Sequence, residues 1–299
     1  VRSAGRVAPL LVLAIALVAV SNGAIFARLA AAAPLAIAAW RVGLALLVVL
    51  PVALLPPRGF DRRGLLFATG AGAFLALHFA TWIASLEHTT IARSVLFVST
   101  TPIWVVLLQV AAGRGLPSRT TLLALVLAVA GAGIVSGPAG GQGASFGDLL
   151  ALAGGVAMAA YFLLSREAQA TLPFRAYLGI AYGFAAALLA AAVLASGTPA
   201  TGFDARTWAA LGAMALVSQL IGHSGYNWSL RHLDPLFVAV VSVGEPVLAS
   251  LLGWWLLGEA VDARTALGGA LVLAGIALAS RRAAAGRPAA PVPQAPAEQ

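Results

Sequence analysis

Apolar runs long enough to span a bilayer follow one another almost without pause from residue 7 to residue 280. They fall at 7–27, 34–55, 64–85, 90–112, 119–136, 146–165, 174–196, 205–230, 235–257 and 264–280. A helix needs about 20 apolar residues to cross the hydrocarbon. Helices are the default there because each backbone N–H and C=O must find its partner within the segment. The strict alternation of barrel strands is missing. Charged residues make up 9% of the chain, and mean hydropathy is +0.96. A soluble domain carries about 25% charged residues, so too few polar side chains remain to cover a water-facing surface. The expected fold is an all-α membrane protein of ten transmembrane helices.

The basic residues support that count. All eighteen are arginine, against ten acidic residues. With the first run entering from the cytoplasm, Arg2, Arg6, Arg58, Arg62, Arg63, Arg114, Arg119, Arg166, Arg175, Arg231, Arg281, Arg282 and Arg287 all fall on the cytoplasmic side. Only Arg28, Arg93, Arg206 and Arg264 fall on the other, and Arg41 lies within a span. This is the positive-inside bias, and it puts both termini in the cytoplasm. The arginines are scattered between apolar runs rather than gathered on one polar face, so the net charge of +8 does not point to nucleic acid. Cysteine is absent, which removes disulfides, thiolate chemistry and cysteine metal sites. The absence of lysine removes a Walker A phosphate loop. Residues 1–27 also fit a signal peptide, but the second half of the chain holds a counterpart for this segment, which favours a retained helix. Pro56-Pro57-Arg58-Gly59, the Gly-rich stretch 137–147 and Gly197-Thr198-Pro199 read as connections. The Ala/Pro-rich end, 282–299, reads as a disordered cytoplasmic tail.

A gapless shift of 144 residues places Ser85 on Ser229, His88 on His232, Pro102 on Pro246, Gly131 on Gly275 and Ser136 on Ser280. It also sets Trp82 on Tyr226 and Ser21 on Ser165. The chain therefore reads as two five-helix repeats, residues 1–137 and 146–281. Five is odd, so the second copy enters the membrane the other way up. Inverted repeats with a site at the midplane are an architecture of secondary transporters.

Three stretches carry a family resemblance. They are Ala39-Trp40-Arg41-Val42-Gly43-Leu44-Ala45, the run from His78 to Pro102 with Ala84-Ser85-Leu86 and Val98-Ser99-Thr100-Thr101-Pro102, and the run from Pro235 to Glu259 with Gly244-Glu245-Pro246 and Leu257-Gly258-Glu259. Over about residues 7–281 the chain resembles the drug/metabolite transporter superfamily, in particular its ten-helix EamA-type members. The resemblance implies export of small metabolites across the bacterial inner membrane, with no cofactor. The YddG-type branch, which moves aromatic amino acids and methyl viologen, is compatible with the region around Asn22 and with a His in the third helix. The motifs identify the family rather than the substrate.

Polar groups inside a span are costly and usually face protein or a water-filled cavity. Phe74, His78 and Trp82 lie one helical turn apart on one face, an aromatic wall for a flat or cationic substrate; the alternative is a His satisfied by a neighbouring helix. Gln219 and His223 share a face with Tyr226 nearby, either as cavity groups or as interhelical bonds. Glu245, beside Pro246, has three readings: helix shaping or gating, proton coupling, and substrate contact. Arg41 reads mainly as a structural intramembrane charge, snorkelling to the outer surface or pairing with a carboxylate or helix-end carbonyls. Ser99, Trp104, Tyr161 and Ser242 are further cavity candidates, and Pro102 and Pro246 are gating points. Ala124, Ala128 and Ala132, and likewise Ala266, Ala270 and Ala274, are stripes for close helix packing.

The leading expectation is a secondary transporter exporting amino acids, aromatic and neutral, by alternating access. Its partners would be the bilayer and a small-molecule substrate, and it would act as a monomer or weak homodimer without nucleic acid. Export of organic cations such as methyl viologen, or of other metabolites, is the alternative; a scarcity of cavity-facing Arg argues against anions. An intramembrane enzyme is remote, since no HExxH occurs and no carboxylate lies at ligand spacing from His78 or His223.

Overall fold

The computed structural model describes residues 4–53, 61–136, 144–248, 251–252 and 263–285, and every regular element among them is helical. The readings of Pro56–Gly59, of 137–143, of Leu257-Gly258-Glu259 and of residues beyond 285 lie outside this set. Residues 282–285 were expected in the disordered tail; they instead complete the last helix.

The first rod is α1 (Ala4–Val20) and α2 (Gly23–Leu29), interrupted at Ser21-Asn22, whose side chains donate back to the carbonyls of Leu17 and Val18. Then come α3 (Pro34–Ala53), α4 (Arg62–His88), α5 (Ile91–Val98) and α6 (Thr101–Ala111). They are followed by α7 (Arg119–Ser136), α8 (Ala144–Ala168) and α9 (Phe174–Ser196). The next rod is α10 (Ala205–Ala213), a π-helical stretch Met214–His223, and α11 (Ser224–Leu230). Last are α12 (Pro235–Ser242), a helical segment at 245–248, and α13 (Ala263–Ala285).

Local chemistry sets several starts. The Asp61 carboxylate accepts from the N–H groups of Arg63 and Gly64, Thr90 from Arg93, Asp204 from Thr207 and Asp234 from Leu236. Each satisfies a donor that the first helical turn leaves open. Those N–H bonds, with the Thr171 hydroxyl, hold the Asp61 carboxyl below its ordinary range. Gly197, in the left-handed conformation at φ 66°, ends α9.

Seven stretches among the described residues are long and apolar enough to cross a membrane: Val7–Leu29, Pro34–Ala53, Arg62–His88, Arg93–Ala111, Ser145–Ala168, Phe174–Ser196 and Ala263–Arg281. Arg119–Val135 and Pro235–Leu248 are apolar but shorter. Large apolar side chains such as Leu47, Leu66, Leu123, Leu194 and Leu267 point outward, the arrangement suited to lipid.

The principal pairings run α4 on α8 and on α9, α1 on the π stretch and α11, α3 on α9 and on the π stretch, and α7 on α13, with α6 on α12 beside them. The α7–α13 seam is closely packed. A methyl group at Gly131 would lie 2.6 Å from the Gly268 carbonyl oxygen, and one at Gly275 would lie 2.7 Å from that of Ala124. Ala124, Ala128 and Ala132 are buried in this region, as their stripe predicts. On α13 the packing face is Gly268, Val272 and Gly275, whereas Ala266, Ala270 and Ala274 face outward. That correction has a simple cause: glycine allows closer backbone approach than alanine.

Gly131→Ala and Gly275→Ala are each expected to destabilise the protein by about 1–3 kcal/mol, the usual cost of overpacking. Reversible unfolding in mixed micelles measures this, and Gly133→Ala, with open space around the new methyl group, is the control.

Candidate functional site

Two helices break just before a proline. Between α5 and α6 the chain turns at Ser99-Thr100, and Thr101-Pro102 opens the next segment. Between α12 and the segment at 245–248 it turns at Val243-Gly244, and Glu245-Pro246 opens that segment. Proline belongs at such a start, since its missing N–H is not needed there. The Thr101 hydroxyl donates to the carbonyl of Val98 (2.7 Å), the group that residue 102 would otherwise have served. Thr100 and Ser242 make similar bonds to Phe97 and Ala239. Pro102 and Pro246 thus mark interruptions rather than kinks within continuous helices.

Beside these breaks lies a cavity of about 30 Å³, room for roughly two waters. His78 and Trp82 of α4, Ser99 and Thr101 at the first break, and Ser242 and Glu245 at the second all line it. So do Arg41 of α3, Met158 of α8, His223 of the π stretch and Tyr226 of α11. The His78 and Trp82 rings are stacked, with centroids 5.9 Å apart and planes 3° apart. His78 Nδ1 donates to the Gly154 carbonyl oxygen (2.9 Å), which puts a proton on that nitrogen. His223 sits 6.0 Å from His78, ring to ring, and edge-on to Phe79 at 5.0 Å.

The remaining candidates lie elsewhere. Phe74 is half-buried against the core and does not line the cavity. Trp104 donates through Nε1 to the Thr100 hydroxyl (3.2 Å), bracing the first break. Tyr161 is buried in a hydrogen-bonded chain: Asn227 donates to its hydroxyl, Tyr177 donates to Asn227 Oδ1, and Ser165 bonds Tyr177. Gln219 accepts from Arg41 Nε at 2.9 Å. Gln219 and His223 both lie on the π-helical stretch Met214–His223; His223 lines the cavity, and Gln219 bonds Arg41 beside it.

Arg41 requires the largest correction. It is 1% exposed and does not snorkel. Its guanidinium carbon lies 4.0 Å from the Phe79 ring centroid and 5.7 Å from that of Trp82. The cavity therefore does hold an arginine, and the argument against anionic groups loses its basis. Asn227, Tyr177, Tyr182 and Gln169, which sequence reasoning passed over or mentioned only as neighbours, form the buried polar frame behind the cavity. Their common signal is a polar side chain within an apolar span.

Two ion pairs grip α8 at its ends. Near its start, Asp148 takes a two-pronged contact from Arg93 and a bond from the Thr89 hydroxyl. Near its end, Glu167 accepts from Arg114 at 2.6 Å. The residues are ~28 Å apart along the helix at 1.5 Å per residue, with the cavity-lining Met158 about midway between them. Among the described residues no cluster of His, Cys, Asp or Glu is arranged to hold a metal.

The sequence model of the EamA-like transporter family matches residues 7–137 and 145–281. An uncharacterised transporter from Archaeoglobus fulgidus is 28% identical over 274 residues, covering 90% of this chain and 95% of the relative. A second from the same organism is 24% identical over 214 residues, covering 70% and 73%. A protein of known crystal structure superposes with a TM-score of 0.75 at 22% identity, covering 93% of this chain and 99% of that one; this likeness concerns the fold alone.

Replacing Asn227 with Leu is expected to cost about 1–3 kcal/mol by stranding buried tyrosine hydroxyls. Unfolding in micelles reads the loss. A change below 0.5 kcal/mol, on the order of an ordinary surface substitution, would show that this chain does not brace the core.

Proposed function

The chain belongs to the EamA-like transporter family, and from that premise we propose that it exports aromatic and neutral amino acids by alternating access through the central cavity. It is a multi-pass membrane transporter of small molecules and not an enzyme, as its family and relatives are. The observation that carries the substrate reading is the stacked His78–Trp82 pair, with Tyr226 on the same cavity. Together they offer aromatic faces to a flat side chain.

Ten spans, two inverted repeats and cytoplasmic termini in the bacterial inner membrane complete the proposal. The pairing pattern supports it. Under the 144-residue shift α4 on α8 exchanges with the π stretch and α11 on α1, α4 on α9 exchanges with the π stretch on α3, and α3 on α9, α7 on α13 and α6 on α12 map onto themselves. The two helix breaks, after residues 98 and 242, are related by the same shift.

At about 30 Å³ the cavity is too small for an amino acid, so transport requires it to widen. The grips on α8 are the natural points of release, one toward each membrane face. The Arg93–Asp148 pair is the stronger candidate, its side chains being 13% and 12% exposed. The Arg114–Glu167 pair is 55% and 32% exposed, and exposed pairs contribute little.

Proteoliposomes preloaded with phenylalanine, tyrosine or tryptophan are expected to show saturable efflux, reduced at least tenfold in His78→Ala. Absence of saturable flux for every amino acid, with methyl viologen transported instead, would replace this reading by the organic-cation one. Imposing a proton gradient separates coupled from downhill export; unchanged flux in Glu245→Gln under a gradient would remove that residue as proton carrier.

The chain has no cysteine, so Ser99→Cys provides a single reporter in the cavity. Adding Asp148→Asn is expected to speed its labelling by an impermeant maleimide several-fold from the face where Arg93 lies, and not from the opposite face.

A further inference from the structure

Arg41 is a buried cation with no carboxylate within 4.0 Å. Its Nε is bonded to Gln219 Oε1 (2.9 Å), but its Nη1 is buried with no partner. Neither recorded ion pair involves it, so the Glu245 carboxylate, although on the same cavity, does not reach it within 4.0 Å. Three polar atoms on the neighbouring rod share this condition: Gln219 Nε2, His223 Nδ1 and the Tyr226 hydroxyl are all buried and unpartnered. Arg41 and Gln219 Nε2 can only donate, and the Tyr226 hydroxyl can donate as well. A buried, unpaired charge is among the costliest features a protein can keep. Arg41 Nη1 and Gln219 Nε2 are donors to spare, and the carboxylate on the cavity, Glu245, lies beyond 4.0 Å of Arg41; an anion set against the guanidinium supplies the acceptor they lack.

We infer that Arg41, presented by its bond to Gln219, is the carboxylate-binding residue of the cavity, and that the ligand class is the α-amino acid zwitterion. This rests on the reading of the cavity as the transport site and names the end of the substrate that Arg41 holds. The planar guanidinium suits a carboxylate. Phe79 covers one of its faces, which fixes the plane in which a ligand oxygen approaches. Glu245, on the same cavity but out of reach of Arg41, faces the ammonium group. His78 and Trp82 are left for the side chain. Decarboxylated amines lack the group Arg41 binds, so phenethylamine is a poor ligand where phenylalanine is a good one.

The closed cavity has room for the carboxylate head alone, so formate and acetate probe this subsite without the rest of the substrate. Full-length protein in nanodiscs is heated in sodium formate or acetate and, at equal ionic strength, in sodium chloride. The carboxylates are expected to raise the melting temperature saturably, by on the order of 2 °C or more. Arg41→Gln removes the shift. Gln219→Glu places a carboxylate beside the guanidinium; it is expected to abolish the shift while keeping the protein at least as stable as the wild type, which guards against a variant that merely misfolds. An equal shift with chloride, or a carboxylate shift retained in both variants, overturns the proposal. So does equal competition by phenethylamine and phenylalanine in a flux assay. Amino-acid flux that persists in Arg41→Gln with unchanged KM sinks the subsite and spares the transport reading. A carboxylate shift that depends on Arg41, with no amino-acid flux in any condition, sinks the amino-acid reading and spares the anion subsite.

Discussion

The carbonyl of Val98 lies four residues before Pro102, which has no N–H to give it. In lipid such a group cannot turn to water, and the Thr101 hydroxyl takes the bond instead. Much of the site follows from that exchange. It lets α5 stop and α6 start inside the protein. The residues of the break, Ser99 and Thr101, then face a cavity rather than a lipid tail. The second break, with Ser242 bonded to Ala239 and Glu245 opening the next segment, brings a carboxyl to the same space. Irregular backbone is tolerated at this depth only where protein or a cavity covers it. A broken helix and a polar pocket are thus two views of one arrangement.

Much of the scaffold was legible in the residues. The apolar run 174–196 is α9 to the residue, and Pro34 begins α3 as it begins its run. Hydrophobic length is a local property, and lipid enforces it. His78, Trp82, Tyr226 and Glu245 were found by the rarity of polar and aromatic groups in the spans. Other features escaped because they depend on distant partners. The π-helix at Met214–His223 adds residues to its turns with no marker in composition. The direction of Arg41 depends on Gln219, 178 residues away, and on the Phe79 ring. Which face of α13 is buried was decided by Gly131 on α7. Each of these is a tertiary choice among locally equivalent options.

Within the polar frame one chain of bonds is complete, although Gln169 Oε1 is left without a partner. Tyr161, Tyr177, Asn227 and Ser165 form a closed chain of short hydrogen bonds. Arg41, Gln219, His223 and Tyr226 each keep an unpartnered atom. Satisfied networks rigidify, and partly satisfied ones hold their capacity in reserve. The frame keeps the cavity wall in place while the wall retains bonding capacity for a ligand.

The two ion pairs described above are both made on α8, ~28 Å apart on one rod. A single stiff body held at both ends tends to pivot about its middle when one end is freed, and under the proposed alternating access release at one end would press the other shut. A channel through the molecule would need both grips to fail together. If they fail independently, the chance of that is the product of two small chances. For a membrane that stores energy as voltage, the protein's worth then lies as much in the ions it keeps from leaking as in the solute it carries.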